Sequence, residues 1–309
     1  MPPSTTLLKP SAWPALRYEE FRDTLATLHR WAQIVGKIRL VQTPWVNHSW
    51  HVPLYLTARG LTTSPIAYGS RIFEIEFDFI DHQLRIQTLE GRTETLRLAP
   101  RAVADFYREV FARLNSLGLE ISIRTMPNEI PNATPLDQDR EHSAYDPEQA
   151  GRLWQALAQA DRVLKDFRAR FIGKCSPVHF FWGGFDLAVT RFSGRLAPPH
   201  PGGVPNLPDW VAREAYSHEV SSSGFWPGGD ALPYPVFYAY AYPEPEGFKS
   251  ASLGPAGARY DATLGEFILP YEDVRRSPSP DATLLEFLQR SYEAAADLAG
   301  WDRRALERE

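Results

Sequence analysis

Three short segments hold the side chains whose types and spacing could do chemistry. Asn47-His48-Ser49-Trp50-His51 places two histidines three residues apart, Cys175 precedes His179 by four residues with Pro177 between them, and His218-Glu219 stands beside three serines. On one strand His48 and His51 point to opposite faces, whereas a turn or helix lets both reach one ion. Gathered by the fold, imidazole, carboxylate and thiolate would suit zinc or a similar divalent metal, with His48, His51, His179 and His218 as ligands. The same groups could serve without a metal, with His179, His218 and Glu219 as general acid and base and Cys175 as a nucleophile. Neither an HExxH nor a paired CxxC is present, so the competing reading is hydrogen-bonded core histidines and a buried apolar cysteine.

Other patterns are weighed the same way. Glu74, Glu76 and Asp78 alternate with apolar residues and could hold a cation, but a partner strand carrying Arg85 and Gln87 explains them as cross-strand pairs. Tyr238, Tyr240 and Tyr242 share one face of a strand and Phe237, Ala239 and Ala241 the other; such a tyrosine ladder either covers a sheet or lines a ligand cavity, and the small alanines opposite allow a helix to pack closely. Arg59 and Arg191 sit nine residues after Trp50 and Trp182, respectively, and as a pair would take a carboxylate or phosphate; two structural ion pairs are the alternative. Gly183-Gly184 and Gly228-Gly229 fit no phosphate-loop fingerprint. Trp50, Trp182 and Trp226 complete the candidate ligand-binding set.

The elements that must position these groups are read from periodicity. Phe21, Leu25, Leu28 and Ala32 predict a helix from Tyr18 to Val35 stopped by Gly36, with a short strand at Lys37 to Val41. Trp50 to Ala58 alternates as a strand. Phe73 to Phe79 is the clearest strand; a turn at Asp81-His82 returns it into Leu84 to Thr88, setting Arg85 opposite Asp78 and Gln87 opposite Glu76. A strand at Thr95 to Leu98, a helix from Pro100 to Leu117 ended by Gly118, and a short strand around Ile121 and Ile123 follow. Pro127 to Tyr145 is polar and without period. Asp146 and Pro147 open a helix running to Phe171. Strands at Val236 to Tyr242 and Phe267 to Pro270 precede a final helix, Asp281 to Leu298.

The order helix, strands, helix occurs twice, and Ile34-Val35-Gly36-Lys37 is echoed by Phe171-Ile172-Gly173-Lys174. The expected fold is therefore α+β: two related modules of antiparallel strands flanked by helices, an internal duplication spanning 1–130 and 147–309 with a connector at 131–146. The second module carries a Pro/Gly-rich insertion at 194–235 with a short helix at Asp209 to Tyr216. An irregular stretch of that length is expected to cover a site.

Composition narrows the partners. Lys plus Arg total 33 against 38 for Asp plus Glu, a net charge of −5 without any basic block, so neither nucleic acid nor an anionic membrane surface is an expected partner. One cysteine excludes an intramolecular disulfide, Met1 to Pro10 has no apolar run of a signal peptide, and no stretch approaches 18 apolar residues. A cytoplasmic protein with a small-molecule ligand is the expectation.

The chain also resembles a bacterial family of unknown function over nearly its whole length. The resemblance rests on Trp13-Pro14-Ala15-Leu16, the Ile-Val-Gly-Lys segment within Leu28 to Leu40, Trp50-His51-Val52-Pro53-Leu54-Tyr55, the run Gly173 to Trp182, Phe185 to Arg195, and Tyr216 to Pro227. It implies no activity or cofactor. The leading expectation is an enzyme with a His/Glu site, possible metal dependence, and a cleft between modules; the alternative is a non-catalytic binder with a tyrosine-lined pocket. A third reading makes the aromatics a protein interface.

Overall fold

The structure, a computed structural model, describes residues 12–308; the segment Met1 to Pro10 read for a signal peptide lies outside them. Its first element, α1 (Tyr18–Gln42), runs through the position expected to end it. From Trp31 to Arg39 every residue is buried, Gln33, Lys37 and Arg39 included, so this part of the helix is enclosed by the rest of the chain. Gly36 is not a stop. A Cβ there would come within 2.3 Å of the Trp182 indole, so the glycine admits a ring against the helix backbone. The expected strand at Lys37 to Val41 is accordingly the last turn and a half of α1.

Six strands follow: β1 (Tyr55–Leu56), β2 (Gly60–Thr62), β3 (Ile66–Tyr68), β4 (Arg71–Asp78), β5 (Gln83–Thr88) and β6 (Thr93–Arg97). They form an antiparallel sheet in the order β1-β2-β4-β5-β6, with β3 also on β4. The β4–β5 register differs by two residues from the expected one: Arg85 lies opposite Glu76, and Gln83 opposite Asp78. The Asp78 carboxylate accepts from the backbone N–H groups of Ile80 and Asp81 at 2.9 and 3.0 Å, which lengthens the loop and moves the register. Asp78 also pairs with Arg59 at 2.6 Å, so the acidic stripe is tied up within the sheet. Of Trp50 to Ala58, expected as one strand, only the Leu54 bridge and β1 are extended pairing, because His48 and Ser49 adopt left-handed backbone (φ 59° and 57°) and coil the chain ahead of them.

Helix α2 (Val103–Ser116) covers β6, and Gly118 ends it with φ 71°. Ile121 and Ile123 form no strand; the segment to Tyr145 is irregular, as the polar connector was expected to be. Helix α3 (Pro147–Ala169) starts where expected, the Asp146 carboxylate accepting from the N–H groups of Glu148 and Gln149.

The second sheet comprises β7 (His179–Phe181), β8 (Asp186–Leu196), β9 (His218–Trp226), β10 (Val236–Tyr242), β11 (Arg259–Asp261) and β12 (Glu266–Pro270), all antiparallel in the order β11-β12-β10-β9-β8-β7. Here the supposed insertion proves to be half scaffold. Its second part is β9, a central strand between β8 and β10, and only the stretch up to α4 (Asp209–Ala215) is a covering segment. Helices α5 (Tyr271–Arg276), α6 (Pro280–Leu298) and α7 (Arg303–Leu306) close the chain.

Alternation on β10 decides what each sheet face does. Phe237 and Ala239 face α6, where the small side chain permits close helix packing, and Tyr238 and Tyr240 face the opposite way. Helices α3 and α6 thus cover one face of the second sheet. The two sheets meet at a bridge between Leu54 and Phe180, with N–H···O distances of 2.9 and 3.0 Å in the two directions. One core runs through both halves, from Trp31 and Ile75 to Phe237 and Leu288. The architecture is α+β with two antiparallel six-stranded sheets flanked by helices.

Candidate functional site

The uncovered face of the second sheet is the floor of a cavity of about 880 Å³. The C-terminal half of α1, the 45–52 loop, residues 124–129 and the 204–216 segment form its walls. Such concave spaces with few polar groups among aromatic rings are where small molecules bind.

A polar stripe on the buried helix aligns one wall. His29, Gln33 and Lys37 are four residues apart on α1 and therefore share a face. His29 Nε2 bonds the Gly183 carbonyl at 2.7 Å, Gln33 exchanges bonds with the Asn128 backbone at 2.8 Å each, and Lys37 donates to Asn128 Oδ1. This fixes Asn128 and, next to it, Glu129, whose left-handed backbone (φ 63°) turns its side chain toward Gly183. A Cβ on Gly183 would lie 1.9 Å from Glu129 Oε1. A Cβ on Gly184 would lie 2.8 Å from Asp186 Oδ1 and 3.6 Å from Glu129 Oε2. The paired glycines form no phosphate loop; they make room for two carboxyl groups.

The floor supplies the remaining groups. Tyr238 on β10 reaches across β9 to donate its hydroxyl to Asp186 on β8, passing over Gly224, where a Cβ would meet the tyrosine ring at 2.5 Å. Tyr240 stacks beside Tyr238 at 6.2 Å, and its hydroxyl lies 2.9 Å from that of Tyr216. Glu266 opens β12 on the same floor. Trp50, Trp182 and Trp226 line the cavity, and Trp45 and Trp210 lie 4.7 Å apart within its lining.

Crowding by the surrounding protein sets the protonation behaviour, even though Glu129 is open to the cavity solvent and Glu266 half-buried. It raises Glu129 to about 7, with Asp186 adding repulsion, and Glu266 to about 8, with Asp186 and Asp261 adding theirs. Asp186 is raised to about 6 by burial, against the opposing hydrogen bond from Tyr238. Lys37 is lowered to about 8 by burial and then by Arg124. All three cavity carboxyl groups are thus raised above the ordinary carboxylate range.

The structure distributes the expected site residues unevenly. His48 lines the cavity, but its Nδ1 is 3.0 Å from the Ala215 carbonyl and its Nε2 is 2.7 Å from Lys174 Nζ. His218 lies near it, ring centres 6.0 Å apart, with Nδ1 on Ser217 Oγ. His51 Nδ1 turns to the Val46 backbone. His179 is fully buried among Trp50, Tyr55 and Phe181 with neither ring nitrogen hydrogen-bonded. Glu219 pairs with Arg195 at 2.7 Å. Burial pushes the Cys175 thiol up to about 11, which disfavours the thiolate a nucleophile needs. Among the described residues, no group of three or more His, Cys, Asp and Glu side chains is placed to hold a metal ion. The arginines do not form a pair: Arg59 binds Asp78 and Asp81, whereas Arg191 is buried against Phe167 and Tyr292.

Trp50, Trp182, Trp226, Tyr238 and Tyr240 do line the cavity, as the tyrosine alternation and tryptophan placement suggested. Lys37, Glu129, Asp186, Tyr216 and Glu266 were missed. Signals for some of them stand in the sequence: a polar stripe at 29, 33 and 37 on an apolar helix, and two glycines followed at once by Phe185 and an acidic residue. Glu129 and Glu266 carry no such signal, being single acids in irregular or strand-edge settings.

No helix of the described residues is long and apolar enough to cross a membrane. No curated protein and no solved structure matches the chain. A family model does, over residues 13–308, and by that match the chain belongs to a family of unknown function, DUF5996.

Proposed function

We propose that this protein is an enzyme acting on a small molecule held in the cavity, with Asp186 as general base and Glu129 as general acid. The observation that carries the reading is their proximity: Glu129 and Asp186 both lie against Gly184, close enough for Asp186 to raise the Glu129 carboxyl by repulsion. A catalytic acid and base work best with pKa values near the working pH, and the protein crowded around both raises them toward it. The Tyr238 hydrogen bond favours the ionised form of Asp186, which suits it to accept a proton, while Glu129 lacks such a donor and keeps its proton longer. The chemistry thus falls to carboxyl groups in place of His179, His218, Glu219 and Cys175. Non-catalytic binding is the second reading, favoured by the Tyr216–Tyr240 pair and the tryptophan walls.

Incubation with fractionated cell extract, followed by mass spectrometry of both bound and free small molecules, tests the proposal. The expected result is a component that the parent converts and that Asp186→Asn retains unchanged. A component that both proteins bind and return intact establishes the binding reading instead.

A further inference from the structure

We propose that the ligand of this cavity is an organic cation, a substituted ammonium compound whose charge sits among Glu129, Asp186 and Glu266 and whose apolar part lies against Trp45 and Trp210. The inference rests on the cavity being the ligand site and adds the class of molecule.

Charge is the first argument. Glu129, Asp186 and Glu266 form no ion pair among the described residues. The cavity's buried lysine, Lys37, is engaged with Asn128, and Arg124 is exposed on the wall formed by residues 124–129. Carboxyl groups facing a cavity without a counter-charge are costlier to ionise than free ones, and a cationic ligand offsets that cost. An anionic ligand would add to it. Nor do the three acids converge as metal ligands do. The lining is therefore suited to a group with several N–H donors directed to separated carboxyl groups.

The surroundings give the second argument, independent of the acids. Tyr238, Tyr240 and Trp226 form the floor around the carboxyl groups, and aromatic faces attract ammonium groups. The lining also reaches solvent through apolar side chains: Trp210 is 52% exposed, Val41 47%, Trp45 42% and Met126 37%. Exposed apolar surface within a cavity lining marks where the apolar part of a ligand rests. Carboxyl groups over an aromatic floor, with exposed apolar side chains on the same lining, fit a molecule with a cationic head and an apolar body.

Three probes with one skeleton separate the possibilities: 2-phenylethylammonium, 2-phenylethanol and phenylacetate, titrated calorimetrically into the full chain at pH 8.5. The expected result is ammonium binding tighter than the alcohol by about tenfold or more, with phenylacetate weakest. Glu266→Gln should erase much of that preference, and Trp210→Ala should weaken ammonium and alcohol alike. Equal binding of the alcohol, or a preference unchanged in Glu266→Gln, overturns the cationic ligand while leaving the cavity as a binding site. Absence of binding by all three probes overturns both readings.

Discussion

Tyr238 hydrogen-bonds Asp186 across an entire strand, and the missing side chain of Gly224 is what lets it pass. The contact ties the protonation of Asp186 to β10, two strands away from its own position at the start of β8. Tyr238→Phe removes a donor that favours the carboxylate, so the Asp186 pKa should rise. Carboxyl carbon NMR titration of parent and variant measures the change, and an unaltered Asp186 titration would contradict the assigned contact.

The close approaches at Gly224 and Gly36 should be intolerant of even one methyl group. At Gly224 an added Cβ would lie 1.9 Å from the Leu187 carbonyl oxygen, and at Gly36 it would enter the Trp182 ring. Gly224→Ala and Gly36→Ala should each destabilise the chain by roughly 1–3 kcal/mol, the usual cost of overpacking. Denaturant unfolding gives the number; a loss below experimental error at either site would refute the packing described.

Glu266 should make the protein less stable as pH rises. Its folded pKa of about 8 exceeds the ordinary 4.5, so between these values the folded chain keeps a proton that the unfolded chain releases. Raising the pH across this window therefore lowers stability. Glu266→Gln should gain about 1–2 kcal/mol over the parent at pH 8.5, after allowance for water in the cavity, and almost nothing at pH 4. Thermal unfolding of both proteins at the two pH values checks the sign.

His179 acts in the opposite direction. Burial, with Arg39 and Arg168 nearby, lowers it from 6.5 to about 3. As pH falls through 6.5 the unfolded chain takes a proton that the folded chain refuses, so stability is lost toward acid pH. The ring makes no hydrogen bonds and is surrounded by aromatic side chains, so His179→Phe leaves no group unpaired. The variant should be more stable than the parent at pH 4.5 by about 1–2 kcal/mol and unchanged near pH 8. A variant that loses stability at both would give His179 an unseen polar partner.

Metal analysis addresses the histidine set directly. His48 and His218 approach each other, but His51 and His179 face other surroundings. The His179→Ala, His218→Ala double variant should therefore contain the same metal, by elemental analysis after incubation with zinc, manganese and iron, as the parent. One equivalent present in the parent and lost in the variant would restore the histidine site.

Local pattern alone determined much of this protein. Alternation in β4 and β10, the Asp146–Pro147 helix start and the Gly118 helix end depend on neighbours within a few residues, and each appears where those neighbours dictate. The tyrosine face of β10 was legible for the same reason. Tertiary packing decided the rest. Gly36 has the residue type of a helix stop, yet its role is set by Trp182, 146 positions away in the chain. The β4–β5 register turned on where the Asp78 carboxylate found its donors. Strand β9 looked like an insertion because serines and glycine lack a strong apolar period, and only its two partner strands make it central. The carboxyl site shows the limit most clearly. Glu129, Asp186 and Glu266 come from an irregular segment, a strand start and a distant hairpin, and what distinguishes them is that the fold brings them to one cavity without a cationic partner among the described residues. That arrangement exists only once the chain has closed around the cavity.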